Sequence, residues 1–140
     1  MKIGIASDHA GYDYKEKIKK YLKEKGNEVF DYGCNSLESV DYPDYGHKLA
    51  KSIEKKENDI GIQFCGTGNG INMTANKYKK IRAALCWNTH ISEQARLHND
   101  ANVLTMPARH LKWEEVKKIV NVFLETKFEG GRHQKRINKI

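Results

Sequence analysis

Short apolar runs alternate with amphipathic helical patterns along the chain, and this alternation constrains the fold more than any other feature. Lys2 to Ala6 reads as a buried strand. Beyond Gly11, the residues Tyr14, Ile18, Tyr21 and Leu22 recur at helical spacing, and Gly26 supplies a stop. Glu28 to Asp31 reads as a second strand, and the polar, turn-rich stretch from Tyr32 to Tyr42 as a loop. Pro43 stands where a helix begins, followed by Tyr45, Leu49 and Ile53 on one face. Asp59 to Phe64 is a third strand, Ile71 to Tyr78 a short helix, Ile81 to Cys86 a fourth strand, Ile91 to Leu97 a helix and Ala101 to Met106 a fifth strand. Val116, Ile119, Val120, Phe123 and Leu124 form the stripe of another helix, and the basic end from Gly130 to Ile140 reads as a helical tail. Strands that alternate with helices need crossover connections, hence a parallel sheet with helices on both faces. The expectation is one α/β domain over residues 1–140. It is a three-layer α/β/α, Rossmann-like fold with a five-stranded parallel sheet and a C-terminal helical tail.

In such open sheets ligands gather at the carboxyl ends of the strands. That rule selects Ser7 to Gly11, Cys65 to Gly70, Trp87 to His90 and Pro107 to His110, where polar residues collect. The length suffices for a real core, since a domain of about 150 residues hides roughly 70% of its unfolded surface. No stretch approaches the roughly 18 apolar residues of a membrane-spanning helix, and the opening apolar run is too short for a signal peptide. A soluble, cytoplasmic protein is expected. The three cysteines, Cys34, Cys65 and Cys86, are odd in number and lack CxxC spacing, which speaks against a disulfide framework or a zinc cluster. The net charge of +7 fits lysine-rich helix faces, Lys15 to Lys25 and Lys112 to Lys118, read as exposed. Part of it suits a small anionic substrate. No nucleic-acid motif accompanies it.

The segment Cys65-Gly66-Thr67-Gly68-Asn69-Gly70 lies between a strand and a helix, so its backbone N–H groups can cradle an anion. A plain tight turn seldom needs three glycines and a cysteine. No Lys-Ser/Thr pair closes the loop as in a Walker A motif, and the glycine spacing is not that of a dinucleotide fingerprint. The arginine that a cysteine phosphatase needs is missing. A thiol in this position has its thiolate favoured by the helix dipole and by nearby N–H donors, so Cys65 is a candidate nucleophile or base. Cys86 reads as a buried strand residue and Cys34 as a packing residue.

Ser7-Asp8-His9-Ala10-Gly11, Ser39-Val40-Asp41-Tyr42-Pro43-Asp44, the loop Cys65 to Gly70, Ala75-Asn76-Lys77, His98-Asn99-Asp100-Ala101-Asn102-Val103-Leu104 and Gly130-Gly131-Arg132-His133 follow one another along the chain. Together these motifs resemble the type B ribose-5-phosphate isomerases of the ribose/galactose isomerase family, from residue 3 to about residue 136. The resemblance implies interconversion of ribose 5-phosphate and ribulose 5-phosphate, in the non-oxidative branch of the pentose phosphate pathway. It implies no metal and no organic cofactor. Cys65 aligns with the base that moves a proton between C2 and C1 through an enediolate. The amides of Gly66, Gly68, Asn69 and Gly70 would hold the oxyanion, and Thr67 would bind the sugar or assist the shuttle. His98 aligns with the group that opens the furanose ring. Asp8, Tyr42 and Asn99 would contact the sugar. His9, Arg132 and Arg136 match phosphate-binding positions, with Arg109 a further candidate, since a guanidinium fork meets phosphate bidentately. From the residues alone, Arg132 and Arg136 would read as a solvated tail and His98 as a polar helix-end residue. The resemblance further implies a homodimer, or a tetramer built from it, with sites at the subunit interface and the tail docked on its partner.

Asn69 departs from the family's usual apolar residue, commonly Ile, and Cys34 stands where Thr is more frequent. Some branches replace the cysteine base by a glutamate in the helix after the loop. Here Cys65 is present and Ile71 to Lys77 holds no acid. Competing readings are a hexose-6-phosphate isomerase acting on allose or galactose 6-phosphate, and a non-catalytic phosphosugar-binding module. The retained Cys65 and His98 speak against the second, because a pure binder needs neither.

Overall fold

The computed structural model describes residues 1–140 and contains five parallel strands. They are β1 (Lys2–Ser7), β2 (Glu28–Asp31), β3 (Ile60–Cys65), β4 (Ala83–Leu85) and β5 (Val103–Pro107), in the spatial order β2-β1-β3-β5-β4. The helices are α1 (Tyr12–Glu24), α2 (Tyr42–Glu54), α3 (Asn69–Ala75), α4 (Thr89–Asn99), α5 (Trp113–Glu125) and α6 (Arg132–Ile137). No helix is long and apolar enough to cross a membrane.

Side-chain alternation along the strands divides the core into two layers. Ile3 and Ile5 of β1, Ile62 and Phe64 of β3, and Leu104 and Met106 of β5 face one way. There they meet Ile18 and Leu22 of α1, Ala95 of α4, and Val116, Ile119 and Phe123 of α5. Ala6 and Val103 face the other way, toward Leu49, Ala50 and Ile53 of α2 and Ala75 of α3. Burying each large aliphatic or aromatic side chain contributes about 1.5–3 kcal/mol. The expected helices on both faces are therefore present.

Two elements are shorter than the sequence suggests, and two asparagine side chains account for this. Asn76 leaves α3, and its amide pairs with both backbone groups of Ala83 at 2.9 Å. It thereby caps the free edge of β4 as a neighbouring strand would. The helix expected to reach Tyr78 accordingly ends at Ala75. At the start of the strand expected from Ile81, the Arg82 N–H donates to the Asn102 side chain at 2.8 Å, so only Ala83 to Leu85 join the ladder.

Lys15 corrects the reading of an exposed lysine face. It shares a helix face with Ile18 and Leu22 and is 1% exposed. Its ammonium group donates to Glu16 and Asp31, each at 2.6 Å. A buried charge is tolerated only with such partners.

Candidate functional site

β1 lies between β2 and β3, so the connection after β1 leaves toward one edge of the sheet and β3 continues toward the other. The crevice of a doubly wound sheet opens at this reversal, beyond the strand carboxyl ends. β1 ends there at Ser7 and is followed by Asp8, while β3 ends at Cys65. The Cys65 thiol donates to Asp8 Oδ2 at 3.0 Å, and Asp8 Oδ1 accepts from Gly11 N at 3.1 Å. Both residues are buried.

Burial, the hydrogen bond to Asp8 and the charge of Asp8 push the Cys65 thiol up to about 11, against a smaller opposing pull from the Gly66 and Gly68 amides. The expectation of a favoured thiolate is thus overturned. The loop amides do address the sulfur, yet desolvation and a neighbouring carboxylate outweigh them. Cys86 is buried just beyond β4, its thiol pushed up to about 12 by desolvation. Cys34 is buried as well, its Sγ 3.9 Å from Ser7 Oγ.

The glycines of the loop answer to close neighbours. Gly68 has φ +78° and opens α3 in the left-handed region, where a side chain would also strike Leu85. A side chain at Gly70 would run into the ring of Tyr42, the first residue of α2. Gly66 lies against the Arg109 guanidinium, and its carbonyl accepts from Arg109 N at 3.1 Å. Thr67 and Asn69 form the exposed crest, with Thr67 Oγ1 accepting from Asn69 N at 3.4 Å. His9 Nδ1 accepts from Val40 N at 3.2 Å. That bond fixes the tautomer, leaving Nε2 as the donor, and ties the 32–41 loop to the crevice.

Asp8, His9, Tyr42, the residues Cys65 to Gly70 and Arg109 therefore share one end of the sheet. His98, Asn99, Arg132 and Arg136 do not join them. α4 runs back from the carboxyl ends of the strands, and its last residue, Asn99, gives its carbonyl to Arg82 Nε at 2.8 Å, immediately before β4. His98 thus sits at the amino rim. A strand as long as β3 spans about 20 Å at roughly 3.3 Å per residue, and a five-carbon sugar phosphate is less than half that length.

At the amino rim His98 stacks on His133, with ring centroids 4.1 Å apart and planes 13° from parallel. Desolvation and the charges of His98 and Arg132 hold His133 below the usual histidine range. Glu129 joins them, Oε2 lying 3.7 Å from His133 Nε2. Single donor atoms of His98, Glu129 and His133 lie within 4.8 Å of one another, which makes this the one group of side chains suited to a metal ion.

Two parts of the site escape sequence reasoning. Behind the loop, Gln63 Nε2 donates to Thr105 Oγ1 at 2.9 Å and to the Ile71 carbonyl at 3.2 Å, and Thr105 donates to Asn72 Oδ1 at 2.8 Å. The one available signal is Gln63, a polar residue inside an apolar strand. His133 is the other, and it carries no signal beyond its place after Arg132.

The Ribose/Galactose Isomerase family matches residues 3–140 of the chain. Ribose-5-phosphate isomerase B of Escherichia coli strain K12 is 42% identical over 99% of this chain and 93% of its own length. The crystal structure of a ribose 5-phosphate isomerase from Thermotoga maritima is 53% identical, with TM-score 0.97 over 99% of this chain and 95% of that one. The structure of ribose-5-phosphate isomerase B from Mycoplasma genitalium, with ribulose-5-phosphate bound, is 44% identical, with TM-score 0.95 over 99% of this chain and 92% of that one.

Proposed function

Since the chain belongs to the ribose/galactose isomerase family, we propose that it interconverts ribose 5-phosphate and ribulose 5-phosphate at the crevice between Asp8 and Cys65. The observation that carries this reading is the 3.0 Å contact between the Cys65 thiol and the Asp8 carboxylate, with the Gly66 and Gly68 amides facing the sulfur. Cys65 rests protonated, so it must lose its proton before it can take one from the sugar. Asp8 is the acceptor already in place. The Gly66 and Gly68 amides oppose the rise in the thiol's pKa, and so favour the thiolate once it forms. The thiolate then takes the C2 proton of the aldose, and negative charge builds on the C1 oxygen. Amides of Gly66 to Gly70 aimed at that oxygen stabilise the enediolate, and one such donor is typically worth about 10²–10³-fold in rate. The proton on O2 passes to O1, a transfer that the Thr67 hydroxyl can assist, Cys65 returns its proton at C1, and Asp8 gives its proton back to the thiolate. Tyr42 and Thr67 line the same mouth and suit the sugar hydroxyls.

A complete site needs a second copy of the chain. His98 is the group suited to opening the furanose ring, with Asn99 beside it and Arg132 and Arg136 as phosphate ligands. All four sit at the wrong end of their own sheet. A homodimer that sets the amino rim of one protomer against the crevice of its partner brings the two sets together. His9 and Arg109 then meet the phosphate from the crevice side.

The test is a coupled assay over a panel of pentose and hexose phosphates, with Cys65→Ala as control. Turnover of ribose 5-phosphate above that of allose and galactose 6-phosphate is expected. Preference for a hexose phosphate would move the substrate while leaving the chemistry. One methylene's difference in a pocket shifts selectivity by about 1–3 kcal/mol. Saturable binding without turnover of any sugar would instead make the chain a phosphosugar-binding module.

A further inference from the structure

The C-terminal segment brings to His98 two groups that the proposed reaction does not use, Glu129 before α6 and His133 on it. His133 is 4% exposed, and its Nε2 is buried without a hydrogen-bond partner. A buried polar atom is ordinarily paired. The facing acceptor, Glu129 Oε2, stands 3.7 Å away, beyond hydrogen-bond range. The other Glu129 oxygen has only a loose 3.9 Å pair with Arg132. Together with the nearby His98 nitrogen, these make a set of three donors within 4.8 Å of one another.

We propose that His98, Glu129 and His133 bind a divalent transition-metal ion, zinc above all, and that the ion inhibits the enzyme by capturing His98. Two imidazoles and one carboxylate are donors that zinc accepts readily, whereas magnesium and calcium demand oxygen ligands. Three protein donors leave a fourth position for water. Bonds of about 2.0–2.2 Å place tetrahedral donors about 3.3 Å apart, so the cluster draws inward on binding.

The stack of the two histidines decides how it does so. Imidazole nitrogens donate in the plane of the ring, and two nearly parallel rings cannot both address one ion. His133 is fixed by burial, while His98 is only partly buried and is the ring that turns. Once turned and bound, His98 commits one nitrogen to the ion and its ring is drawn away from the sugar, so it no longer exchanges the proton that opens the furanose ring. Arg132 and Arg136, on the same short helix as His133, place positive charge beside the site, which weakens its hold on a cation. The ion is therefore a reversible inhibitor, which a resident ion would not be. The inhibitory half of this proposal rests on the ring-opening role of His98; the binding half does not.

The experiment titrates zinc and cobalt into the full-length Cys65→Ala protein, which removes the thiol of the loop as a competing ligand. Calorimetry is expected to give one ion per chain. Cobalt absorption is expected to carry nitrogen and oxygen ligation with no sulfur charge-transfer band. Glu129→Gln and His133→Ala each weaken binding at least tenfold. With the native thiol present, zinc inhibits turnover, a chelator restores it, and Glu129→Gln keeps basal activity while escaping inhibition. Absence of binding at submillimolar metal, or affinity unchanged by both substitutions, would overturn the site. Binding as predicted in a protein without isomerase activity would support the site and count against the isomerase reading alone.

Discussion

At the carboxyl ends of β1 and β3, Asp8 is 4% exposed and Cys65 8%, whereas at the amino rim the Arg132 side chain is 66% exposed. The crevice is held by strands whose register is fixed by the core, by a loop in which glycines admit Tyr42 and Arg109, and by the Gln63–Thr105–Asn72 bonds behind it. The rim is carried by the end of α4 and the six-residue α6, and its cations face solvent. The crevice is preorganised within one chain, as electrostatic catalysis requires. The rim is a set of side chains awaiting a surface. The contrast favours the proposed dimer, in which one chain would supply the proton-transfer half of a site and the opposite end of another would supply ring opening and phosphate binding.

Breaking the crevice has the largest expected effect. Cys65→Ala lowers turnover of ribose 5-phosphate at least about 10³-fold, toward the upper end of what a positioned base contributes, while circular dichroism and thermal unfolding stay near wild type. Near-wild-type turnover would remove Cys65 from the mechanism. His98→Asn costs about 10²-fold with the cyclic sugar and much less with the open-chain form. Equal losses on both forms would refute the ring-opening role. Arg132→Ala or Arg136→Ala raises KM about 10–100-fold with little change in kcat, as loss of one charge-assisted contact of about 1.5–3 kcal/mol implies. A fall in kcat at constant KM would make these residues something other than phosphate ligands.

The smallest effect probes the thiol directly. The Asp8 charge and hydrogen bond contribute to raising Cys65, so Asp8→Asn lowers its pKa from about 11, although burial keeps it above the ordinary value. Alkylation of Cys65 by iodoacetamide at pH 8 then speeds up about three- to tenfold, one pKa unit being tenfold in thiolate. An unchanged rate would mean that desolvation alone sets the thiol. The raised pKa also carries a sign for stability. The folded state holds this proton more tightly than the unfolded chain. Its contribution is full below about pH 9 and is lost as pH rises toward about 11.

The strand–helix alternation was readable because core packing imposes a period on the sequence, and β2 appears at its expected residues. The end of α3 and the start of β4 were not, because they depend on two side-chain amides, Asn76 on Ala83 and Asn102 on Arg82. Lys15 looked exposed because its acceptor Asp31 comes from another element. Residues of the crevice follow from a strand-end rule and a glycine pattern. His98, Arg132 and Arg136 gained a role only through resemblance, because the work proposed for them lies across an interface that no spacing in one chain encodes. The state of Cys65 was misread for the same kind of reason. Helix and amide effects are local, while the burial and the Asp8 carboxylate that outweigh them come from the fold, Asp8 lying just beyond the end of β1.

Mixing the inactive Cys65→Ala and His98→Asn proteins, unfolding and refolding them together, and assaying ribose 5-phosphate isomerisation tests the shared site most directly. If each site takes Cys65 from one protomer and His98 from its partner, half the dimers are mixed and carry one intact site, so about a quarter of wild-type activity returns. No recovery, with mixed dimers demonstrably formed, would place both residues in a single chain's site and contradict the account.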